Sequence, residues 1–113
     1  MNKSVLIIED ETELSGLLKN YLTKKKFKVT CAENLELAME LLKYSNYDAV
    51  ILDNNLPDGK GIDAIPTINY MQHNPIIIAM SAMQLKEQAL IAGASYFIEK
   101  PISMADVNRL LNL

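Results

Sequence analysis

Five short apolar runs punctuate the chain, at residues 5–8, 29–32, 49–52, 76–80 and 96–98, and stretches of helical periodicity separate them. The first, third and fourth runs are hydrophobic without a break, as expected of strands buried on both faces of a parallel sheet. Around the second run, Phe27, Val29 and Cys31 alternate with polar residues, so one side of that strand is expected to be wetter, as at a sheet edge. In the first helical stretch Leu14, Leu17, Leu18, Tyr21 and Leu22 share one face, and Gly16 interrupts it at a cost of about 1 kcal/mol relative to Ala. A second helix places Leu35, Ala38, Met39 and Leu42 together behind Asn34 as N-cap. A third is expected near Gly61, with Pro66 imposing a late start, a kink or a short length. A fourth is expected from about 84 to 92, stopped by Gly93, and a fifth from Ser103, where Asp106 completes a capping box and Val107, Leu110 and Leu111 form the apolar face. Five β–α units imply a parallel sheet with helices on both faces and right-handed crossovers.

Composition narrows this picture. Half of the 113 residues are hydrophobic and 22% are charged, which suits a single globular domain over residues 1–113. A formal net charge of -3 leaves no electrostatic footprint for nucleic acid. The one basic run, Lys24, Lys25, Lys26 and Lys28, reads as a solvated helix end. Cys31 is the only cysteine, is expected in the core, and suits a reducing compartment. The apolar stretch after Met1 is too short for a signal peptide or membrane span, so a cytoplasmic protein with no membrane partner is expected. The six methionines read as core filler, and His73 as an exposed loop residue.

Ligands of open α/β sheets bind beyond the carboxyl ends of the strands. There the chain carries Glu9 and Asp10 after the first run, Asp53 at the end of the third, Ser81 after the fourth and Lys100 after the fifth. Polar residues commonly end strands, but four strand ends with this set argue for a shared site. Three carboxylates and one ammonium leave a local double negative charge, which a divalent cation would neutralise. Oxygen ligands, with no second histidine or cysteine, favour Mg²⁺ over zinc. A metal, a lysine and a carboxylate nucleophile are the parts required for phosphoryl transfer to an aspartate. Asp53 ends the central strand just before a sharp turn at 54–59, which makes it the best acceptor, while Glu9 and Asp10 are better placed to hold the metal.

These stretches, Val5-Leu6-Ile7-Ile8-Glu9-Asp10-Glu11, Ala49-Val50-Ile51-Leu52-Asp53-Asn54-Asn55-Leu56-Pro57-Asp58-Gly59, Met80-Ser81-Ala82 and Ala92-Gly93-Ala94 through Lys100-Pro101, resemble the receiver domains of bacterial two-component response regulators, from about residue 4 to residue 111. The resemblance implies a flavodoxin-like α/β/α sandwich with a five-stranded parallel sheet in the order 2-1-3-4-5. It implies Asp53 as phosphoacceptor, Asp10 binding Mg²⁺ directly, Glu9 acting through water, and Asn55 giving its backbone carbonyl to the metal. Ser81 would hydrogen-bond the phosphoryl group, Ala82 would leave it room, and Lys100 would pair with Asp53 and then with the phosphate. The Lys100–Pro101 peptide would be cis, helping to aim the lysine. Met83 and Asn55 would flank the approach to the phosphorus. Two positions depart from the commonest pattern: Phe97 stands where a switch tyrosine is usual, and Ser81 where threonine is frequent.

The implied partners are a histidine kinase or phosphotransfer protein as donor and a downstream protein or fused output domain. The surface of the fourth helix, fifth strand and fifth helix would be the one that changes, and through which receivers form homodimers. The chain reaches Leu113 soon after the fifth helix begins, consistent with a stand-alone receiver or a fragment of a longer protein. The implied role is a phosphoacceptor switch, not an enzyme with an external substrate. Two rival readings are a phosphatase of the haloacid dehalogenase type and an unphosphorylated interaction module. The first generally needs an Asp two residues after the nucleophile, where this chain has Asn55; the second usually lacks one of the acids, the acceptor or the lysine, all present here.

Overall fold

A computed structural model describes residues 2–112; Met1 and Leu113 lie outside the described residues. The five principal strands are β1 (Ser4–Ile8), β2 (Lys28–Ala32), β3 (Ala49–Asp53), β6 (Ile76–Ser81) and β7 (Tyr96–Glu99), and β4 (Asn55–Leu56) pairs with β5 (Gly59–Lys60) in a small antiparallel hairpin. The sheet is parallel throughout, in the order β2-β1-β3-β6-β7, which is the expected 2-1-3-4-5 once the hairpin is set aside. Strand β2 lies at an edge, as its alternation of polar and apolar residues predicted, and Cys31 within it is half-buried.

The unbroken apolar strands follow from two cores. Leu6, Ile8, Val50, Leu52, Ile77 and Ala79 point to one side of the sheet, under α2 (Leu35–Tyr44), α3 (Gly61–Gln72) and α4 (Lys86–Ala92). Val5, Ile7, Ala49, Ile51, Ile78 and Met80 point to the other, under α1 (Thr12–Lys24) and α5 (Met104–Leu111). Successive strand residues serve opposite cores, so neither parity can be polar.

Helix ends are set by the residues expected to set them. Asn34 Oδ1 accepts from Leu37 N at 2.8 Å, Ser103 Oγ accepts from Asp106 N at 3.3 Å, and Gly93 closes α4 at φ 114°. Other expectations are corrected. Helix α3 begins at Gly61 and runs through Pro66 to Gln72, so of the alternatives named for Pro66 the late start and the short length are not found. Proline in a helix interior costs about 3 kcal/mol, but full burial of Ile65 and Ile68 contributes about 1.5–3 kcal/mol each. Helix α4 begins at Lys86 and not at 84, because residues 82–85 turn with Ser81 Oγ accepting from Met83 N at 3.0 Å, while Gln84 donates to the Glu99 carboxylate. Leu17 is 55% exposed and stands off the α1 core face, which Leu18 and Leu22 occupy. Among the methionines Met80 is core, but Met83 is 65% exposed. His73 is exposed, as expected, and caps α3 in the left-handed region at φ 56°.

Gly16 has nothing within 4 Å of the position a Cβ would take, so no packing demand explains it. Gly16→Ala is therefore expected to stabilise the domain by about 1 kcal/mol. A melting experiment should show Tm rising by several degrees.

Candidate functional site

The parallel register brings the carboxyl ends of β1, β3, β6 and β7 to one rim. Glu9 and Asp53 are each only 2% exposed there, while Asp10 faces solvent. One carboxylate oxygen from each of Glu9, Asp10 and Asp53 lies within 4.8 Å of the others. Lys100 reaches this cluster from the end of β7, with Nζ 2.9 Å from Glu9 Oε1 and 3.1 Å from Asp53 Oδ1. Asp53 Oδ1 is buried, and the Lys100 ammonium at 3.1 Å is its charged partner. The Lys100–Pro101 peptide is cis.

Burial sets the electrostatics. Desolvation pushes the Glu9 carboxyl up, more than its bond from Lys100 and its bond from the Glu11 backbone N–H pull it down, and the Asp53 charge adds to the rise. For Lys100, burial disfavours the charge, but pairing with Glu9 and Asp53 outweighs it and the ammonium's pKa is raised. Among the described residues Glu9 and Asp53 share Lys100 at ion-pair distance, and Asp10 adds a third carboxylate to the cluster without a lysine of its own. A second positive charge is what the cluster lacks. A hard divalent cation fits it: the donors are all oxygens, three carboxylates converge, and only one lysine is at ion-pair distance from any of them among the described residues.

The other expected residues fall as follows. Ser81 is buried at the end of β6, beside β3, and the Lys100 backbone N–H donates to its carbonyl at 2.9 Å. Its hydroxyl oxygen accepts from Met83 N, leaving the O–H to donate. Asn55, Ala82 and Met83 are exposed around the rim. Phe97 is not in the cluster: it is half-buried against the core beneath α2, α3 and α4. Tyr96, beside it, packs on the opposite side against the α1–α5 core.

Two residues escaped the sequence reading. Asn54 locks the loop after β3 by donating its backbone N–H to Met80 O at 2.9 Å, and accepting from Gly61 N at 2.9 Å and, on Oδ1, from Ile62 N at 3.0 Å. Asp58 accepts from Leu35 N and Glu36 N, both at 2.9 Å, and these bonds hold its carboxyl below the usual range. Its place in a Pro-Asp-Gly turn signalled only a turn; nothing local indicates a bond to a helix more than twenty residues away.

An open, parallel α/β sheet with an oxygen-lined acidic cluster and a lysine at its carboxyl rim belongs to the class of α/β folds whose site lies beyond the strand ends. The chain matches the family profile "Response regulator receiver domain" over residues 5–112, and it belongs to that family, the receivers of two-component systems. It is 32% identical over 114 residues to the response regulator protein PilR of Pseudomonas aeruginosa, an alignment covering 96% of this chain and 25% of PilR. It is 32% identical over 109 residues to the transcriptional regulatory protein SrrA of Staphylococcus aureus, covering 95% of this chain and 45% of SrrA. The chain thus spans less than half the length of these relatives. Among solved structures it resembles the receiver domain of the sensor histidine kinase PA1611 from P. aeruginosa, with magnesium ion coordinated in the active site cleft: TM-score 0.87, 26% identity, covering 99% of this chain and 96% of that one.

Proposed function

We propose that residues 1–113 form a phosphoacceptor switch in which Asp53 takes a phosphoryl group from a phosphohistidine. The observation that carries this reading is the meeting of buried Glu9 and Asp53 with exposed Asp10 and the Lys100 ammonium at one rim of the sheet. Glu9, Asp10, Asp53 and the Asn55 carbonyl would hold Mg²⁺. When bound, the ion supplies positive charge to the phosphoryl oxygens. The magnesium in the related PA1611 receiver supports this assignment.

An Asp53 carboxylate oxygen attacks the phosphorus in line, the new P–O bond forms as the P–N bond to the donor imidazole breaks, and the imidazole leaves with the electron pair. Lys100, already beside Asp53, neutralises charge on the transferring group. Ser81 donates its free O–H to a phosphoryl oxygen, which draws its loop inward; Phe97 then moves further into the core and the α4/β7/α5 surface changes. Only the phosphate's differential contact with the two states drives this, so the switch is a population shift. Ala82 leaves space for the phosphoryl group, and Met83 and Asn55 border the approach of water.

The donor is a histidine kinase or phosphotransfer protein. A groove of about 550 Å³ opens beside Lys100, with Leu14, Leu17, Ala82, Ile102 and Met104 among its walls, and offers a donor helix an apolar seat. The exposure of Leu17 has its explanation there. The output is a downstream protein or a fused domain read through α4/β7/α5, which also serves as a homodimer face. No helix among the described residues is long and apolar enough to cross a membrane.

Incubation with acetyl phosphate and Mg²⁺ should add one phosphoryl mass, and chelation by EDTA should prevent it. An intact-mass spectrum showing no adduct under conditions that phosphorylate a control receiver removes the proposal.

A further inference from the structure

The loop from 54 to 60 carries the Asn55 carbonyl proposed as a metal ligand. Its root is locked by the three bonds of Asn54. Its tip is a hairpin of two residues per strand, Asn55↔Lys60 and Leu56↔Gly59, exposed except for Leu56, which is buried in the core, and too short to hold shape alone. The tip is fastened from outside. Asp58 Oδ1 accepts from Leu35 N and Oδ2 from Glu36 N, so each carboxylate oxygen takes one of the unpaired N–H groups that open α2. Gly59 packs closely here too, since a Cβ on it would lie 3.0 Å from Leu35 Cδ1. Helix α2 is itself anchored by buried Ala38 and Leu42, so it is a fixed reference.

We infer that Asp58 is a positioning residue for the metal site: its two-oxygen grip on the start of α2 holds the Asn55 carbonyl in place before the cation arrives. The inference rests on the metal-site reading above. A backbone ligand on an untethered loop loses conformational freedom when it binds; with Asp58 in place that freedom is already gone. Asn34 caps a different donor of the same turn, accepting from Leu37 N at 2.8 Å, so a cap of α2 can be removed without touching the loop.

That second cap supplies the control. Mg²⁺ affinity is measured by isothermal titration calorimetry, and Tm without metal by calorimetric melting, for the wild type, Asp58→Ala, Asp58→Asn and Asn34→Ala. Asp58→Ala is expected to weaken Mg²⁺ binding on the order of tenfold. Asp58→Asn, which keeps one acceptor oxygen, should fall between it and the wild type, and remains informative if the alanine variant fails to fold. Asn34→Ala should lower Tm comparably and leave Mg²⁺ affinity unchanged. If both Asp58 variants bind Mg²⁺ like the wild type, or Asn34→Ala weakens binding equally, the positioning role is overturned while the metal site stands. A wild type that does not bind Mg²⁺ overturns the metal-site reading, and the inference with it.

Discussion

Asp53→Asn is expected to abolish phosphorylation while making the metal-free protein more stable. The loss follows from chemistry: an amide is no nucleophile toward phosphorus, and no other acid at the rim is placed like Asp53. The gain follows from charge. Asp53 and Glu9 are buried to the same degree and share one lysine, and the Asp10 carboxylate is near. Neutralising Asp53 removes a like-charge repulsion yet leaves Lys100 its 2.9 Å contact with Glu9. Breaking the 3.1 Å pair works against this, but Lys100 keeps a partner and is not left uncompensated. We expect a net gain of about 1 kcal/mol, or several degrees in Tm. Mg²⁺ should reverse the ranking. At ten times its Kd a cation stabilises the wild type by about 1.4 kcal/mol, and the variant, short of one ligand charge, should respond much less. Melting curves of both proteins with and without Mg²⁺ decide the matter; a destabilised metal-free variant would show that the acidic site is not strained by its own charge.

The same residues show what a linear sequence can disclose. The acids, the serine and the lysine were legible because each ends a strand, strands were legible from unbroken apolar runs, and a parallel sheet puts all its carboxyl ends on one side. The edge position of β2 was legible from alternation for the same local reason. Leu17 was not, because helical spacing allows several apolar residues on one broad face, and only the neighbouring helix decides that Leu18 and Leu22 are buried while Leu17 lines a groove. Pro66 misled in the opposite sense: its local penalty is real, and burial of Ile65 and Ile68 overrides it. The loop locks formed by Asn54 and Asp58 stayed hidden because their partners, Met80, Leu35 and Glu36, are close only after folding. The reagents of the site can thus be read from strand ends, whereas the bonds that hold the loop bearing Asn55 cannot.

Gly61→Ala is expected to be the most damaging small substitution in the chain. A Cβ at this position would sit 2.1 Å from the carbonyl oxygen of Asp53, and 3.0 Å from both its carbonyl carbon and Leu52 Cγ. The first contact is with backbone, so no side-chain rotation relieves it. Strand β3 cannot retreat, being hydrogen-bonded between β1 and β6. Helix α3 cannot easily retreat either, because Gly61 N and Ile62 N are both bonded to Asn54. The clash must therefore break those bonds or tilt the Asp53 peptide. We expect a loss of about 3 kcal/mol or more, lowering Tm by more than about 10 °C. Because the displaced atoms belong to Asp53, the proposed phosphoacceptor, Mg²⁺ binding and phosphorylation should fall in whatever fraction stays folded. Gly16→Ala makes the comparison sharp: the chemical change is identical and both glycines lie in helices, yet one faces open space and the other a carbonyl, so the two shifts in Tm should have opposite signs. A Gly61→Ala protein melting within about 2 °C of the wild type would mean that α3 does not start against the acceptor strand, and the placement of Asn54 and Asn55 at the site would fail with it.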